Sequence, residues 1–322
     1  MNKITYRGYF NASIPNLVKY KMLRFAYAKK PKGKPPLPMH YYGTKILSVE
    51  AGKDYLKQLV RGDKVFVLAR ITGSELSCIQ QYIRIQLRLD KQFSSENMYI
   101  MRNNAGFFPA DHDHLCQYGA YIRQLSSSID VMTVFNQYME KYIINTFCDN
   151  PDLIHTKSLT PHYSPWTKSL RGMKVLAIHP YADLIAIQYK KREYLFPGTD
   201  ILPEFDLKVF PAVQTSAGQA DERFSTWFEA LDYMMDGIGK IDFDIALIGA
   251  GAYGLPLSVR IKEELNKKAV QLGGLVQILF GIRGKRWDQA ERLQTFYNEH
   301  WVRPGEAYTP KDAEMVEGGC YW

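Results

Sequence analysis

Three glycines have a spacing that suits phosphate binding, since Gly249, Gly251 and Gly254 read G-x-G-x-x-G. The apolar run 243–248 before them predicts a buried parallel strand, and an amphipathic helix is expected over residues 255–267. A strand–glycine turn–helix unit leaves backbone N–H groups and the helix N-terminus free to hold phosphate. A second short strand, predicted over residues 268–272, ends in Gly273-Gly274. The sequence therefore predicts an anion pocket beside two glycine turns.

Three cations follow the second glycine turn: Arg283, Lys285 and Arg286. Cations that face the same anion stabilise a departing phosphate. One diphosphate to hold, with cations beside it, fits a sugar nucleotide. The predicted nucleotide-sugar-binding residues are Gly249, Gly251, Tyr253, Gly254, Gly273, Gly274, Gln277, Arg283, Lys285 and Arg286.

Other interpretations of the glycines are less well supported. A nicotinamide dinucleotide needs an acidic residue at the end of the second strand to bind the ribose hydroxyls. Leu272-Gly273-Gly274 occupies that place, and the same missing acid weighs against a methyltransferase. A purely structural interpretation also stays open, in which the glycines only permit close packing of the helix against the strand.

A second strand-to-helix turn carries charged residues. Residues 64–71 predict a buried strand and residues 75–90 a helix, with Ser74 as its N-cap. Arg70 and Glu75 lie on either side of this turn. Active-site groups of open α/β sheets gather at such turns, so both residues are catalytic candidates.

Three residues are candidates for an acceptor site or cleft. His179 follows a strand predicted over residues 173–178, a place suited to chemistry, although a hydrogen-bonded structural histidine is the favoured interpretation for one histidine taken alone. His162 and Trp166 lie in a stretch rich in Pro, His and aromatic residues, predicted as a loop over residues 150–172. Such a loop could line a substrate cleft or be a long packed connection.

Metal sites and disulfides have little support in the sequence. The stretch 111–114 (DHDH) contains ligand types, but Asp111 or Asp113 better suits the N-cap of a helix predicted from residue 114. The cysteines are scattered and form no C-x-x-C pair. This pattern disfavours structural zinc and a disulfide framework.

Strands and helices alternate along the chain, which predicts an α/β fold with a Rossmann-like, doubly wound, mainly parallel sheet flanked by helices. Further helices are predicted over residues 114–125 and 130–147. No apolar run approaches the roughly 18 residues of a membrane-spanning helix. We expect a single cytoplasmic domain over residues 50–322.

The net charge of +8 belongs to a basic N-terminal arm, residues 1–49. The arm contains 10 of the 41 Lys and Arg residues and none of the 33 acidic residues, so the rest of the chain has 31 basic and 33 acidic residues. A basic amphipathic piece and a Lys/Pro linker can lie on an anionic membrane or form a solvated tail. We expect a membrane-surface contact through residues 1–34. The nearly neutral body argues against a nucleic-acid partner.

Several stretches together resemble a known family: residues 243–287, residues 170–180 (LRGMKVLAIHP), the Gln188-Tyr189 pair and residues 317–322 (EGGCYW). From about residue 60 to 322 the chain is similar to bacterial GT-D type glycosyltransferase-like proteins found with surface polysaccharide genes. The resemblance implies a single Rossmann-like domain and transfer of a sugar from a nucleotide donor.

One departure from the family concerns its motif Arg-Phe-Gly-Asp-Gly-Glu, whose acidic pair is assigned to metal and donor binding. The matching residues 70–75 read RITGSE, so Arg70 and Glu75 are kept and Gly73 replaces the aspartate. One carboxylate makes a weak Mg²⁺ or Mn²⁺ site. Either the metal is recruited differently, or the cations after Gly281 replace it, or transferase activity has been lost.

The resemblance implies transfer from a nucleoside diphosphate sugar, expected to be a UDP-sugar, to a glycan or lipid-linked acceptor in bacterial surface polysaccharide assembly. Glu75 would be the base or the remaining metal ligand, because an inverting transfer needs a carboxylate to take the proton of the acceptor. Arg70 would contact phosphate or orient Glu75. The expected cofactor is Mn²⁺ or Mg²⁺, with metal-independent transfer also open. The alternative is a catalytically silent nucleotide-binding or scaffold protein of a polysaccharide locus.

Overall fold

The computed structural model describes residues 14–28, 37–162, 165–219 and 221–322. These residues form one sheet of nine strands. The strands are β1 (His40–Tyr41), β2 (Thr44–Leu47), β3 (Val67–Ala69), β4 (Val131–Val134), β5 (Asp152–His155), β6 (Lys174–His179), β7 (Asp206–Pro211), β8 (Ile245–Ile248) and β9 (Lys268–Gln271). The helices are α1 (Ile14–Ala28), α2 (Val49–Arg61), α3 (Gly73–Gln86), α4 (Ser95–Asn103), α5 (His112–Ser126), α6 (Glu140–Phe147), α7 (Ala182–Tyr189), α8 (Arg192–Leu195), α9 (Trp227–Ile238), α10 (Gly254–Leu265), α11 (Leu275–Leu279) and α12 (Glu291–Gln294).

The strands are ordered β1-β2-β5-β4-β3-β9-β8-β6-β7 across the sheet. Strands β1 and β2 pair in antiparallel fashion, and the other neighbours are parallel. Parallel neighbours need crossover connections, which the helices provide. The predicted doubly wound, mainly parallel sheet flanked by helices is confirmed.

Alternate residues of the central strands separate into two hydrophobic cores, one on each face of the sheet. In β6, Val175 and Ala177 pack on one face, and Leu176 and Ile178 pack on the other. All four side chains are completely buried. A strand covered on both faces reads as a continuous apolar run, which is why the sequence reveals β6 and β8 so clearly.

One predicted helix cap is present in the structure, and another is not. Asp111 caps α5, because its carboxylate accepts a hydrogen bond from the N–H of His114 at 2.9 Å. The predicted Ser74 cap of α3 is wrong, since the helix begins at Gly73 with Thr72 as N-cap. Gly73 has φ 50°, a left-handed value that glycine adopts readily, so the chain enters the helix earlier than predicted.

Two predicted elements are wrong because their strands were not recognised. The helix predicted over residues 130–147 is β4 followed by α6, and the loop predicted over residues 150–172 contains β5. The four residues of β4 are all buried. A short buried run cannot be assigned to a strand or a helix by periodicity alone, and only its pairing with β3 and β5 decides.

Two parts of the N-terminal arm lie within the described residues. Helix α1 packs on the body through Tyr20, which is 2% exposed and lies 5.9 Å from the ring of Tyr142. Strands β1 and β2, also within the residues assigned to the arm, join the sheet. The Lys/Pro linker, residues 29–36, lies outside the described residues. Within the described part of the chain, no helix combines the length and apolar character needed to cross a membrane.

Candidate active site at the carboxyl ends of the strands

A cavity opens where five neighbouring strands end: β3, β9, β8, β6 and β7. Clefts at the carboxyl ends of parallel strands are the usual ligand sites of α/β sheets. Many of the residues predicted from the sequence line this cavity. They are Arg70, Glu75, His179, Gly249, Gly251, Tyr253, Gly273, Gly274, Gln277 and Arg286.

The two glycine turns present unpaired backbone N–H groups. The N–H groups of Ala250, Gly251 and Gly274 have no hydrogen-bond acceptor within the described chain. By contrast, the N–H of Tyr253 donates to the carbonyl of Ala250 at 3.0 Å, and the N–H of Gly254 is bonded within the same turn. The free donors thus lie slightly earlier in the turn than predicted. Such N–H groups can bind an anion.

The same two turns touch each other at Gly249. A Cβ added to Gly249 would lie 2.7 Å from the carbonyl oxygen of Gly273 and 2.8 Å from Cδ2 of His179. Glycine is therefore required at this position by packing between strand ends. Gly251 has a different reason to be glycine, because its φ of 51° lies in the left-handed region.

Arg70 and Glu75 are placed on the cavity by β3 and the first turn of α3. Nη1 of Arg70 donates to the carbonyl of Leu272 at 3.2 Å, and the guanidinium lies 5.1 Å from the ring of Phe135. Burial raises the pKa of Glu75, while a hydrogen bond from its own N–H and the charge of Arg70 oppose the rise. A carboxylate whose pKa is raised towards neutrality is suited to proton transfer.

The third charged group of the cavity is Arg286, which is held by the last residues of the chain. Its Nη1 bonds the hydroxyl of Tyr321 at 3.0 Å, and its Nη2 forms an ion pair with Glu317. The guanidinium also lies 4.6 Å from the ring centre of Tyr321, and the N–H of Arg286 donates to the carbonyl of Cys320 at 2.9 Å. Val316, Glu317, Tyr321 and Trp322 therefore form one wall of the cavity.

Some predicted nucleotide-binding residues do not line the cavity. Gly254 is buried against the side chain of Gln271, so its role is in packing. The guanidinium of Arg283 lies over the ring of Tyr297 at 4.3 Å. Lys285 approaches Glu314, with its Nζ 3.6 Å from the carboxylate. Neither cation lines the cavity, and each contacts a side chain outside it.

The two residues predicted from the loop over 150–172 also lie elsewhere. Trp166 is completely buried in a hydrophobic core, and its indole N–H donates to the carbonyl of Leu159 at 3.0 Å. His162 packs against Phe296, and burial lowers the pKa of His162 to about 4. The loop is therefore a packed connection at these residues and does not line the cavity.

His179 is buried at the end of β6 and lines the cavity. Its Nδ1 accepts a hydrogen bond from the N–H of Tyr181 at 3.0 Å, and burial lowers the pKa of His179 to about 3. The imidazole is therefore neutral near pH 7, with its proton on Nε2 because Nδ1 is an acceptor. It can donate one hydrogen bond to a ligand but cannot supply positive charge.

This buried neutral histidine predicts a pH dependence of stability. An unfolded histidine has a pKa of about 6.5. Below that pH the unfolded chain therefore binds a proton that His179 does not bind in the folded protein. The free energy of unfolding should fall, from this residue alone, by about 1.4 kcal/mol per pH unit between pH 6 and 4. In His179→Asn, the amide oxygen can still accept from Tyr181 but does not titrate. Urea unfolding at several pH values should show a shallower pH dependence for the variant, and parallel dependences would contradict the assignment.

Residues 104–106 and 213–216 are two of the cavity segments that the sequence does not identify as part of the site. They are joined by Thr215, whose hydroxyl donates to the carbonyl of Gly106 at 2.6 Å, and by Ala217, whose N–H donates to the carbonyl of Asn103 at 2.7 Å. These contacts link residues more than a hundred positions apart. No local pattern signals such a pairing.

Metal ligands are few in the cavity. No group of three or more His, Cys, Asp and Glu side chains is arranged to hold an ion in the part of the chain that the structure describes. Glu75 and Glu317 are the carboxylates that line the cavity, and Glu317 already pairs with Arg286. Hard cations take several oxygen ligands, so these residues alone do not make a complete Mg²⁺ or Mn²⁺ site.

Comparisons with known proteins give a structural likeness alone. No family model matches the chain, and no curated protein matches it. The chain is similar to a solved structure described as "The highly conserved domain of unknown function 1792 has a distinct glycosyltransferase fold". The TM-score is 0.43 at 12% sequence identity, over 82% of this chain and 92% of that chain. At this level of similarity, function must be inferred from the cavity itself.

Proposed function

We propose that this protein is a glycosyltransferase of the GT-D kind that moves a sugar from a nucleoside diphosphate sugar, a UDP-sugar, to a hydroxyl of a glycan or lipid-linked acceptor in bacterial surface polysaccharide assembly. One observation carries the proposal. Unpaired N–H groups of two glycine turns share a cavity with Arg70, Arg286 and the carboxyl of Glu75. This set combines a diphosphate site with a candidate base.

The proposed reaction assigns a task to each group. Glu75 takes the proton of the acceptor hydroxyl as its oxygen bonds to the anomeric carbon of the donor. The bond between that carbon and the diphosphate oxygen breaks, and the nucleoside diphosphate leaves with the bonding electrons. Arg286 and the N–H groups of Ala250, Gly251 and Gly274 stabilise the charge that develops on the leaving oxygen. Arg70 contacts the same phosphate or orients Glu75.

Calorimetry with UDP, with and without Mn²⁺, tests the proposal when it is combined with an assay for UDP release from UDP-sugars. We expect UDP to bind and at least one UDP-sugar to be turned over. Absence of UDP binding under both conditions would contradict a nucleotide-sugar site. Binding without any hydrolysis or transfer would favour the second candidate.

The second candidate is a catalytically silent nucleotide-binding or scaffold protein of a polysaccharide locus. Gly73 favours it, because this residue lines the cavity where the resembled family has an aspartate. A Cβ added to Gly73 would meet no atom within 4 Å, so the missing carboxylate has not been replaced by another group at that point. This candidate shares the diphosphate site with the first and differs in lacking the chemical step.

Helix α1 supports the proposed peripheral contact with the cytoplasmic membrane. Val18, Met22 and Phe25 are 49%, 68% and 63% exposed and recur every three or four residues, which places them on one face. An exposed apolar stripe on a basic helix suits the interface of an anionic bilayer. The proposal places the enzyme where lipid-linked acceptors lie.

Vesicle binding tests the role of α1. We expect Met22→Asp/Phe25→Asp to weaken binding to vesicles containing phosphatidylglycerol at least tenfold, because two apolar side chains lose their insertion energy. Sedimentation with the vesicles measures the affinity. Ile187→Asp, at a residue that is 50% exposed on α7, is the matched control and should bind normally. Equal binding by all three proteins would contradict a membrane role for α1.

Glu317 competes with the proposed phosphate for Arg286, which predicts a gain of affinity in Glu317→Gln. The ion pair is half exposed, and such pairs contribute roughly 0.2–1 kcal/mol. Removing the carboxylate frees Nη2 and also removes a negative charge from the cavity. We therefore expect the Kd for UDP to fall about two- to fivefold, as measured by calorimetry.

Glu314→Gln is the matched control, because Glu314 is 86% exposed and pairs with Lys285 outside the cavity. Its Kd for UDP should equal that of the wild type. Weaker UDP binding in Glu317→Gln would show instead that Glu317 is needed to position Arg286.

A further inference from the structure

The cavity is elongated, since it runs across the ends of β3, β9, β8, β6 and β7 in that order. Neighbouring strands lie about 4.8 Å apart, so its two ends are separated by roughly 19 Å. The glycine turns follow β8 and β9 and lie between those ends. A ligand whose phosphates bind at the turns must therefore extend one part towards β3 and the other towards β7.

Charge is confined to one end of the cavity. The charged lining residues are Arg70, Glu75, Arg286 and Glu317. They are near one another, because the charge of Glu317 acts on Glu75 and that of Arg286 acts on Arg70. Arg70 also lies 3.3 Å from the Cβ position of Gly273, which places the group beside the end of β9.

The opposite end, after β6 and β7, is lined by uncharged residues. Tyr181, Val213, Gln214 and Ser216 contribute a ring, an apolar side chain, an amide and a hydroxyl. His179 is neutral, as its lowered pKa of about 3 shows. No cation at this end is available to bind a phosphate within the described residues.

An open groove continues from the uncharged end, with Gln214 shared by the cavity and the groove. The amides of Gln214 and Gln219 and the hydroxyl of Tyr308 have no hydrogen-bond partner within the described chain. The ring of Tyr308 lies 5.4 Å from that of Tyr181, so the two sites are adjacent. These side chains are free to contact a ligand.

The charge of the groove disfavours phosphate there. Asp221 and Arg223 form an ion pair at 2.6 Å and neutralise each other. Glu222, which also lines the groove, is exposed and leaves one net negative charge. An uncharged polar ligand is therefore expected at this site.

The volume of the cavity also indicates that a nucleotide sugar would need the adjoining groove. The cavity has a volume of about 190 Å³, whereas ligand pockets commonly have roughly 300–1,000 Å³. A nucleotide sugar has three parts, and the cavity alone is small for all of them. The adjoining groove supplies the additional room.

We propose that the nucleoside of the donor binds at the β6–β7 end, with its base in the groove at Gln214 and Tyr308, and that the sugar lies at the β3 end beside Glu75. This inference rests on the proposed function. Amide side chains offer both donors and acceptors to the edge of a base, and an aromatic ring stacks on its face. The reverse orientation would place the uncharged base among two arginines and two carboxylates, and the anomeric carbon far from Glu75.

Calorimetry with two ligands, a nucleoside diphosphate and inorganic pyrophosphate, tests this orientation. The nucleotide used is whichever of UDP, GDP and ADP binds the wild-type protein most tightly. Tyr308→Ala and Gln214→Ala should weaken nucleotide binding about tenfold for the tyrosine and severalfold for the glutamine, and leave pyrophosphate binding unchanged. Arg286→Ala should weaken both ligands. Tyr99→Ala, at a tyrosine that is 50% exposed on α4, is the matched control and should change neither.

The outcomes separate this inference from the proposed function. If wild-type protein binds a nucleotide but Tyr308→Ala and Gln214→Ala bind it equally well, the nucleoside does not lie in the groove. If these variants lose nucleotide and pyrophosphate to the same extent, their effect is on the fold or on the phosphate site, and the inference is also overturned. If wild-type protein binds none of the nucleotides and no pyrophosphate, the proposed function fails.

Discussion

Glu75→Gln is expected to lower kcat for sugar transfer by about 100- to 10,000-fold, the usual contribution of a general base. The amide has nearly the same shape as the carboxyl but cannot accept the proton of the acceptor. Because Glu75 is half-buried in the first turn of α3 and the glycine turns are unchanged, the fold and the Kd for UDP should be preserved. Steady-state UDP release, circular dichroism and calorimetry measure the three quantities.

Glu96→Gln is the matched control for this experiment. Glu96 also lies in the first turn of a helix, α4, but is exposed and does not line the cavity. Its kcat should equal that of the wild type. Retained turnover in Glu75→Gln would remove Glu75 from the mechanism, whereas loss of UDP affinity in that variant would point to a role in binding.

Gly249→Ala is expected to abolish UDP binding and to lower the free energy of unfolding by about 1–3 kcal/mol, the usual range for overpacking. The added methyl group would lie 2.7 Å from the carbonyl oxygen of Gly273 and 3.2 Å from the Cβ of Val276. A backbone carbonyl cannot rotate away as the end of a long side chain can. The two glycine turns must therefore separate, which moves the free N–H groups of Ala250 and Gly274 apart.

Urea unfolding and calorimetry measure both effects, with Gly305→Ala as the control. A Cβ added to Gly305 meets no atom within 4 Å, and its φ of −75° is available to any residue. The control should keep both the stability and the Kd for UDP of the wild type. A Gly249→Ala protein that unfolds and binds UDP like the control would show that the turns do not form a rigid anion site.

Several of the predicted residues that the structure brings together at the cavity lie at or just after the end of a strand. Gly251 and Gly273 follow β8 and β9, Arg70 follows β3, and His179 ends β6. The carboxyl ends of parallel strands meet at one edge of the sheet. Recognising the strands is therefore enough to bring these residues together at that edge. Their roles in binding and catalysis stay predictions.

Other predicted residues do not line the cavity, because contacts that a sequence pattern does not contain fix their positions. Trp166 is of a residue type that often contacts ligands, but its side chain is buried in a hydrophobic core. Arg283 and Lys285 are close to Arg286 in the sequence, and this spacing predicts that all three cations face one anion. Their side chains contact different partners outside the cavity, Tyr297 for Arg283 and Glu314 for Lys285. Type and spacing alone could not separate these cations.

The sequence by itself determined the mainly parallel character of the sheet, the two glycine turns and the place of Glu75 after β3, because these depend on local periodicity and on residues close in the chain. Only the tertiary structure decided which cation faces the cavity and how the cavity is closed. Glu317, which pairs with Arg286, is 31 positions away from it in the sequence. Residues 213–216 contact residues 104–106, although more than a hundred positions separate the two segments. Long-range packing of this kind depends on the shape of the whole sheet and its helices, and no local pattern of residues records it.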